Sequence, residues 1–320
     1  MKKFIRKNLL FVMPIMLLSY SIDILLSNRL KGSNIHAQSE FPTWNAIFDN
    51  ELNSEVYIMG SSRAWTQIDP QIVKDSLGLN SYNLGVDGHP FWVQHLRYTL
   101  AESNNKAPRI LIQEVDLGTL NMREGLYNPD QFLPYMLWND TIKQSLEKIK
   151  GYSYIDYYLP LLRYYGKTEA FKILIKEFLF PNSNPIKRIN GYQGQPKGWN
   201  GDFDRAKKTM NSYNVKIDTS VYNLFYSYLH ELKNNNVDVI LTYPPEYFES
   251  LNFVENKNEL IQTYSRLCSE FDFAFIDFSN DSISYSKQYF INATHLNKKG
   301  AELYTKKMVS KIKARTHNNL

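Results

Sequence analysis

The run Tyr57-Ile58-Met59-Gly60-Ser61-Ser62-Arg63-Ala64-Trp65 passes abruptly from apolar residues to a glycine and two serines. An apolar run bounded by small residues reads as a short buried strand. The glycine and serines then permit a tight turn that lifts a hydroxyl out at the strand's C-terminal end. In an open α/β sheet that edge is where ligands bind. Two readings stand at this point. One is an ordinary strand-to-helix loop with Ser62 as an N-cap; the other is a nucleophilic serine, which needs a base elsewhere in the chain.

Downstream the same pattern recurs. Gln71 to Leu77 reads as a short helix closed by Gly78, and Ser81-Tyr82-Asn83-Leu84-Gly85-Val86-Asp87-Gly88 as a strand end running into a glycine-rich turn. His89 to Glu102 has helical periodicity, and Arg109 to Asp116 is a third apolar strand that ends on acids. Strand, turn and helix in repetition predict a parallel sheet with helices on both faces. Between about 120 and 216 the rhythm breaks into helix-like pieces, Thr141 to Lys150 and Thr168 to Phe180, followed by a stretch rich in Gly, Pro and Asn. Tyr152, Tyr154, Tyr157, Tyr158, Tyr164 and Tyr165 crowd this insertion. They suit either a cap that stacks on sugar rings or a helical insertion with half-buried tyrosines. The alternation then resumes with a helix at Tyr222 to Asn235, a strand at Val237 to Tyr243, a helix at Glu255 to Glu270 and a strand at Phe273 to Asp277. Asn297 is placed to cap a terminal helix whose Tyr304, Met308 and Ile312 recur every fourth residue.

The chain has 320 residues, of which 43% are hydrophobic and 22% charged, enough for a full core. Its net charge is +5, but Lys2, Lys3, Arg6, Lys7 and Arg29 against Asp23 place +4 of that in the first 30 residues. The body is therefore near neutral, which argues against nucleic acid as a partner. Cys268 is the single cysteine, so the chain cannot form an internal disulfide or a cysteine-based zinc site. Leu9 to Leu26 is an apolar stretch close to the roughly 20 residues a transmembrane helix needs. Its basic N-terminal flank predicts a cytoplasmic N-terminus and an exported body. A cleaved signal peptide fits less well, because Ile35-His36-Ala37 lies far beyond the apolar run. The expected organisation is a basic flank and anchor over 1–27, a tether over 28–53, and one α/β domain over 54–320 carrying the tyrosine-rich insertion.

A base for the serine lies between the last strand and the last helix, in Asn292-Ala293-Thr294-His295-Leu296-Asn297-Lys298-Lys299-Gly300-Ala301. The order of Gly60-Ser61-Ser62, then Asn83 with Gly88 five residues on, then Asn292-x-x-His295, resembles the SGNH (GDSL-type) hydrolase superfamily. The first block stands for G-D-S, the second for an asparagine with an oxyanion glycine, the last for D-x-x-H. The N-terminal anchor and long insertion look most like its membrane-anchored branch, which modifies surface polymers by O-acetylation or D-alanylation.

The resemblance implies a three-layer α/β/α, flavodoxin-like parallel sheet. It implies Ser62 as nucleophile, His295 as base with Asn292 beside it, and the N–H groups of Ser62 and Gly88 as oxyanion donors. No cofactor and no metal is expected. The implied activity is that of an esterase or O-acyltransferase acting on acyl, most simply acetyl, esters of a cell-surface glycan. It would work from the outer side of the cytoplasmic membrane, with a membrane acyltransferase as a partner. The alternative is an inactive glycan-binding or assembly subunit of an export and acylation complex. Two departures matter. The family's acid is Asn292 here, and an Asp-to-Asn change at that place in a serine protease costs roughly 10⁴ in turnover. Either Asn292 orients His295 through its carbonyl, or Asp277 or Asp116 supplies a carboxylate, or the site is inactive. The third block, G-x-N-D, is replaced by Asp116-Leu117-Gly118-Thr119-Leu120-Asn121, which leaves Asn121 as the nearest side-chain oxyanion donor.

Overall fold

The computed structural model describes residues 1–33, 36–88, 90–123, 125–147, 151–180 and 188–318. It resolves into two compact units, one made of residues 1–45 with 124–187 and the other of 46–123 with 188–320. In chain order the first helices are α1 (Lys2–Lys31), α2 (Glu40–Phe48), α3 (Ser62–Gln67), α4 (Pro70–Leu77), α5 (Phe91–Asn104), α6 (Asp140–Leu146) and α7 (Tyr154–Tyr158). Then follow α8 (Thr168–Leu179), α9 (Asp202–Ala206), α10 (Thr219–Asn234), α11 (Phe248–Leu251), α12 (Lys257–Phe271) and α13 (Lys298–Asn318).

The second unit holds a five-stranded sheet of β1 (Val56–Met59), β2 (Ser81–Asn83), β3 (Ile110–Glu114), β4 (Asp238–Tyr243) and β5 (Ala274–Asp277) in the order β2-β1-β3-β4-β5. Every pairing is parallel. Alternate residues serve opposite faces. Val56, Ile58, Ile112, Ile240 and Ile276 join Val73, Tyr304 and Met308 in one core cluster. Tyr57, Met59, Leu111, Val239 and Leu241 are buried on the other face. α13 packs with α3 and α4, while α10 packs with α5 and α12, so the sheet is the middle of the three layers expected from the alternation. The order 2-1-3-4-5 reverses between β1 and β3, and ligands of open parallel sheets bind outside the strand ends at such a reversal.

Local chemistry explains the element boundaries. Asp69 caps α4 by accepting from Gln71 N at 2.8 Å, Pro70 occupies its first turn, and Gly78 ends it with φ of 72°. Asn297 Oδ1 accepts from Gly300 N at 3.0 Å at the start of α13, as its position predicts. The helix expected from His89 is described from Phe91, with His89 itself outside the described residues, as are 148–150 at the end of the helix expected from Thr141.

In the first unit α1 packs on α8, and Asp23 of α1 is fully buried. Arg163 Nη1 and Nη2 each donate to an oxygen of the Asp23 carboxylate at 2.6 Å, and Leu161 N donates to it at 2.7 Å. This fork-to-fork pair answers the one charge that interrupts the apolar stretch. α1 is the single described helix long and apolar enough to cross a membrane. The stretch 28–53, expected as a tether, contains the end of α1 together with α2, and 188–216 of the expected insertion fold with the sheet unit.

Candidate active site

β1 ends at Met59, and the chain turns at Gly60 with φ of 147°. A Cβ there would lie 2.6 Å from Glu114 Oε2 and 2.8 Å from Ala64 Cβ, so the turn requires glycine. Ser61, not Ser62, is the N-cap of α3. Its Oγ accepts from Arg63 N at 3.2 Å, while its N and Oγ donate to Glu114 Oε2 at 2.9 and 3.0 Å. Ser61 is thereby committed to holding the turn. Ser62 opens the first turn of α3, and its Oγ lies 2.9 Å from His295 Nε2. The N-cap reading of Ser62 is thus replaced by a serine–histidine contact across 233 positions of sequence.

Asn292 favours one histidine tautomer. Its Oδ1 accepts from the backbone N–H of Thr294 at 3.0 Å and of His295 at 2.9 Å. Backbone N–H groups only donate, so the side-chain oxygen must face them. His295 Nδ1 is 3.2 Å from that same oxygen. With a hydrogen on Nδ1 given to that oxygen, the Nε2 lone pair faces Ser62 Oγ. Thr294 Oγ1 is a second neighbour of Nδ1 at 3.1 Å. The backbone of the loop pins the amide oxygen toward Nδ1, where the family's carboxylate would stand.

The two alternative acids separate. Asp277 ends β5, its carboxylate accepts from Ser279 N at 2.7 Å and Ser279 Oγ at 3.1 Å, and it lines a recess at the β5 edge instead of the Ser62 cavity. It is no partner of His295. An aspartate followed two residues later by a serine forms its own turn, and β5 lies at the far edge of the sheet from β1. Asp116 does line the Ser62 cavity. Its Oδ1 accepts from Gly118 N at 2.7 Å and Thr119 Oγ1 at 3.1 Å, while Oδ2 stands 3.9 Å from Arg63 Nη1. Asp116 reaches His295 through its field, not through a hydrogen bond.

Gly88, with φ of 64°, lines the cavity together with Ser62, and among the described residues neither N–H has an acceptor. Asn83, the companion of Gly88 in the second block, is fully buried. Its Nδ2 donates to Ala64 O and Ile68 O, both at 2.8 Å, so it clamps the nucleophile helix to β2. Asn121 lines the cavity, but its Nδ2 donates to Lys216 O at 3.1 Å. Trp65 packs inside, with the Arg188 guanidinium 4.1 Å from its ring centre. The cavity holds about 410 Å³, and Leu117 and Val215 are its only aliphatic walls among the described residues. Tyr213 and Val215, from the far end of the expected insertion, reach it.

Sequence reasoning missed the charge cluster beneath Ser62. Arg63 is only 3% exposed. Its Nη1 donates to Glu246 Oε1 at 2.8 Å and its Nη2 to Pro244 O at 3.2 Å, and Tyr243 Oη donates to the same Glu246 oxygen at 2.6 Å. Burial alone would push this guanidinium down, but Glu246, Glu114 and Asp116 together hold it above its ordinary value. Burial raises Glu114, with Asp116 adding to the rise and Arg63 opposing it.

His295 is pushed down from 6.5 to about 4, first by burial and then by the Arg63 charge, with Asp116 pulling the other way. A depressed histidine is neutral in the fold, so its contribution to stability is full above 6.5 and is lost as pH falls toward 4. The same neutrality keeps the base competent in mild acid. We expect the acid limb of kcat/KM to fall near pH 4 instead of 6.5, read from a pH profile with a chromogenic ester. Asn292→Asp puts a carboxylate on Nδ1 and should move that limb upward. A limb at 6.5 in the native chain would mean that His295 is solvated during turnover.

No family model matches the chain, and no curated protein matches it. Among solved structures, one from Desulfitobacterium hafniense DCB-2, described as a lipolytic protein of the G-D-S-L family, is similar at 12% identity. The likeness covers 80% of this chain and 97% of that chain, with a TM-score of 0.37.

Proposed function

We propose that this chain is a membrane-anchored serine esterase or O-acyltransferase of SGNH type that acts on a small acyl ester, acetyl in the simplest case, of a cell-surface glycan. The observation that carries the reading is Ser62 Oγ at 2.9 Å from a His295 Nε2 whose tautomer is fixed for accepting a proton. His295 takes that proton as Oγ attacks the ester carbonyl. The N–H groups of Ser62 and Gly88 face the developing oxyanion. Collapse breaks the ester C–O bond, the leaving alcohol takes the proton from His295, and an acyl-serine remains. Water as second acceptor regenerates Ser62 and releases the acid; a sugar hydroxyl carries the acyl group away as a new ester. α1 holds the body at the membrane, and its basic flank favours the cytoplasmic side for the N-terminus.

The cavity favours a short acyl group on a polar alcohol over a lipid. Ser61, Asp116, Asn121, Arg123, Glu246 and Thr294 line it, and no apolar groove leads from Ser62 among its lining residues. The expected result with the full chain in detergent is turnover of 4-nitrophenyl acetate at least tenfold faster than of the octanoate, because a polar wall returns none of the transfer energy of the longer chain. Faster octanoate turnover would replace the glycan reading with a lipase. Asn292 in place of an acid favours one second reading, a glycan-binding subunit without turnover. That reading predicts no hydrolysis of either ester by folded protein.

A further inference from the structure

The tyrosine-rich segment has an exposed surface that the Ser62 cavity does not use. Tyr154 is 70% exposed and Tyr165 89%. On α8, Phe171, Ile175 and Leu179 recur at every fourth residue and remain exposed, with Ile175 and Leu179 each at 59%. Soluble chains rarely leave a contiguous stripe of this kind open. Lys172 and Lys176 are exposed beside the stripe, the pattern of a helix that lies in a lipid headgroup region.

The same unit supplies the level at which that surface sits. The apolar stretch of α1 from Leu9 to Leu26 is close to the roughly 20 helical residues that cross the hydrocarbon core, which places the far boundary just past Leu26, within about a turn of Asp23. Asp23 is where Leu161 N and Arg163 are tied, which brings residues 161–165 to the boundary. Tyr20 and Trp138 meet edge to face there, ring centres 5.7 Å apart, and Trp138 Nε1 donates to Asp23 Oδ1 at 3.3 Å. Tryptophan and tyrosine collect at such boundaries because their rings are apolar and their N–H or O–H groups are wet. α1 itself packs on α8, so the stripe belongs to the same unit as the spanning helix.

We infer that Tyr154, Tyr165 and the Phe171–Ile175–Leu179 stripe of α8 form a second contact with the bilayer that α1 crosses, seated among the lipid headgroups. The inference rests on α1 as a membrane span. It gives the tyrosine-rich insertion a lipid-facing role in place of the sugar-stacking cap.

The test is nitroxide accessibility in the full chain, on a Cys268→Ala background, reconstituted in phosphatidylethanolamine–phosphatidylglycerol vesicles. Labels go at Ile175→Cys and Leu179→Cys, with Leu17→Cys for the span and Lys74→Cys for an aqueous site. The ratio of oxygen to nickel-chelate collision rates should be several-fold higher at 175 and 179 than at 74, and highest at 17. Ratios at 175 and 179 equal to that at 74, with 17 still deep, would overturn the inference and leave the span standing. An aqueous ratio at 17 would overturn the span itself. Labels at 175 and 179 shielded from both reagents, with spin–spin broadening, would assign the stripe to a second copy of the chain and likewise overturn it.

Discussion

A fluorophosphonate should add one adduct to the full-length chain, and Ser62→Ala and His295→Ala should each abolish it and lower ester turnover by at least about 100-fold. The magnitude follows from what the site lacks. In a serine protease the whole triad contributes roughly 10⁶ in turnover and its carboxylate roughly 10⁴ of that, and the two figures do not add. A site with an amide in the carboxylate's place keeps the serine–histidine share, about 10² or more. Residues that act as one unit are not additive, so the double variant should be no slower than either single one. Ser61→Ala supplies the control. Its hydroxyl is engaged by Glu114 and by Arg63 N, so the adduct should persist while stability drops by roughly 1 kcal/mol for the lost cap. Intact mass and a thermal scan read both. An adduct retained in Ser62→Ala would move the nucleophile elsewhere; no adduct in folded native protein would bring forward the binding-subunit reading.

The features legible in the sequence are those written in consecutive residues. Gly60-Ser61-Ser62 announces a strand end, and Asn292-x-x-His295 carries its own turn, because an asparagine side chain naturally accepts from backbone N–H groups two and three residues on. The reading of Asn292 as the residue that orients His295 through its carbonyl rests on that same spacing. Asp277 misled because a carboxylate at a strand end says nothing about which strand it ends; only the sheet order, with β5 three places from β1, removes it. Arg63 was legible as a residue but not as a buried one. Its partners Glu114, Asp116 and Glu246 come from the ends of β3 and β4, and no local pattern links them. The tyrosine cluster reads equally well as sugar-stacking or membrane-facing, since both use an apolar ring with a polar tip.

Arg63→Met should destabilise the fold by about 3–5 kcal/mol, the usual cost of removing one partner from a buried ion pair. For a domain of this size that is on the order of 10 °C in Tm. The substitution keeps the volume of the side chain stem and removes the charge facing Glu246 and Glu114, which are then buried without compensation, beside half-buried Asp116. Glu114, raised already by burial and by Asp116, then loses the charge that opposes the rise. Groups raised in the fold contribute stability that is present at low pH and lost as pH increases through the raised value. The gap in Tm between the variant and the native chain should therefore narrow as pH falls from 8 to 5 and be widest in alkali. The same substitution removes the second-largest influence holding His295 down, so the acid limb of turnover should move upward in whatever fraction of the variant stays folded. Arg63→Lys keeps the charge but loses the forked geometry that reaches Glu246 and Pro244 O together, and should fall between the two. A Tm for Arg63→Met equal to that of the native chain at pH 8 would show that Arg63 is not what holds the strand ends together under Ser62.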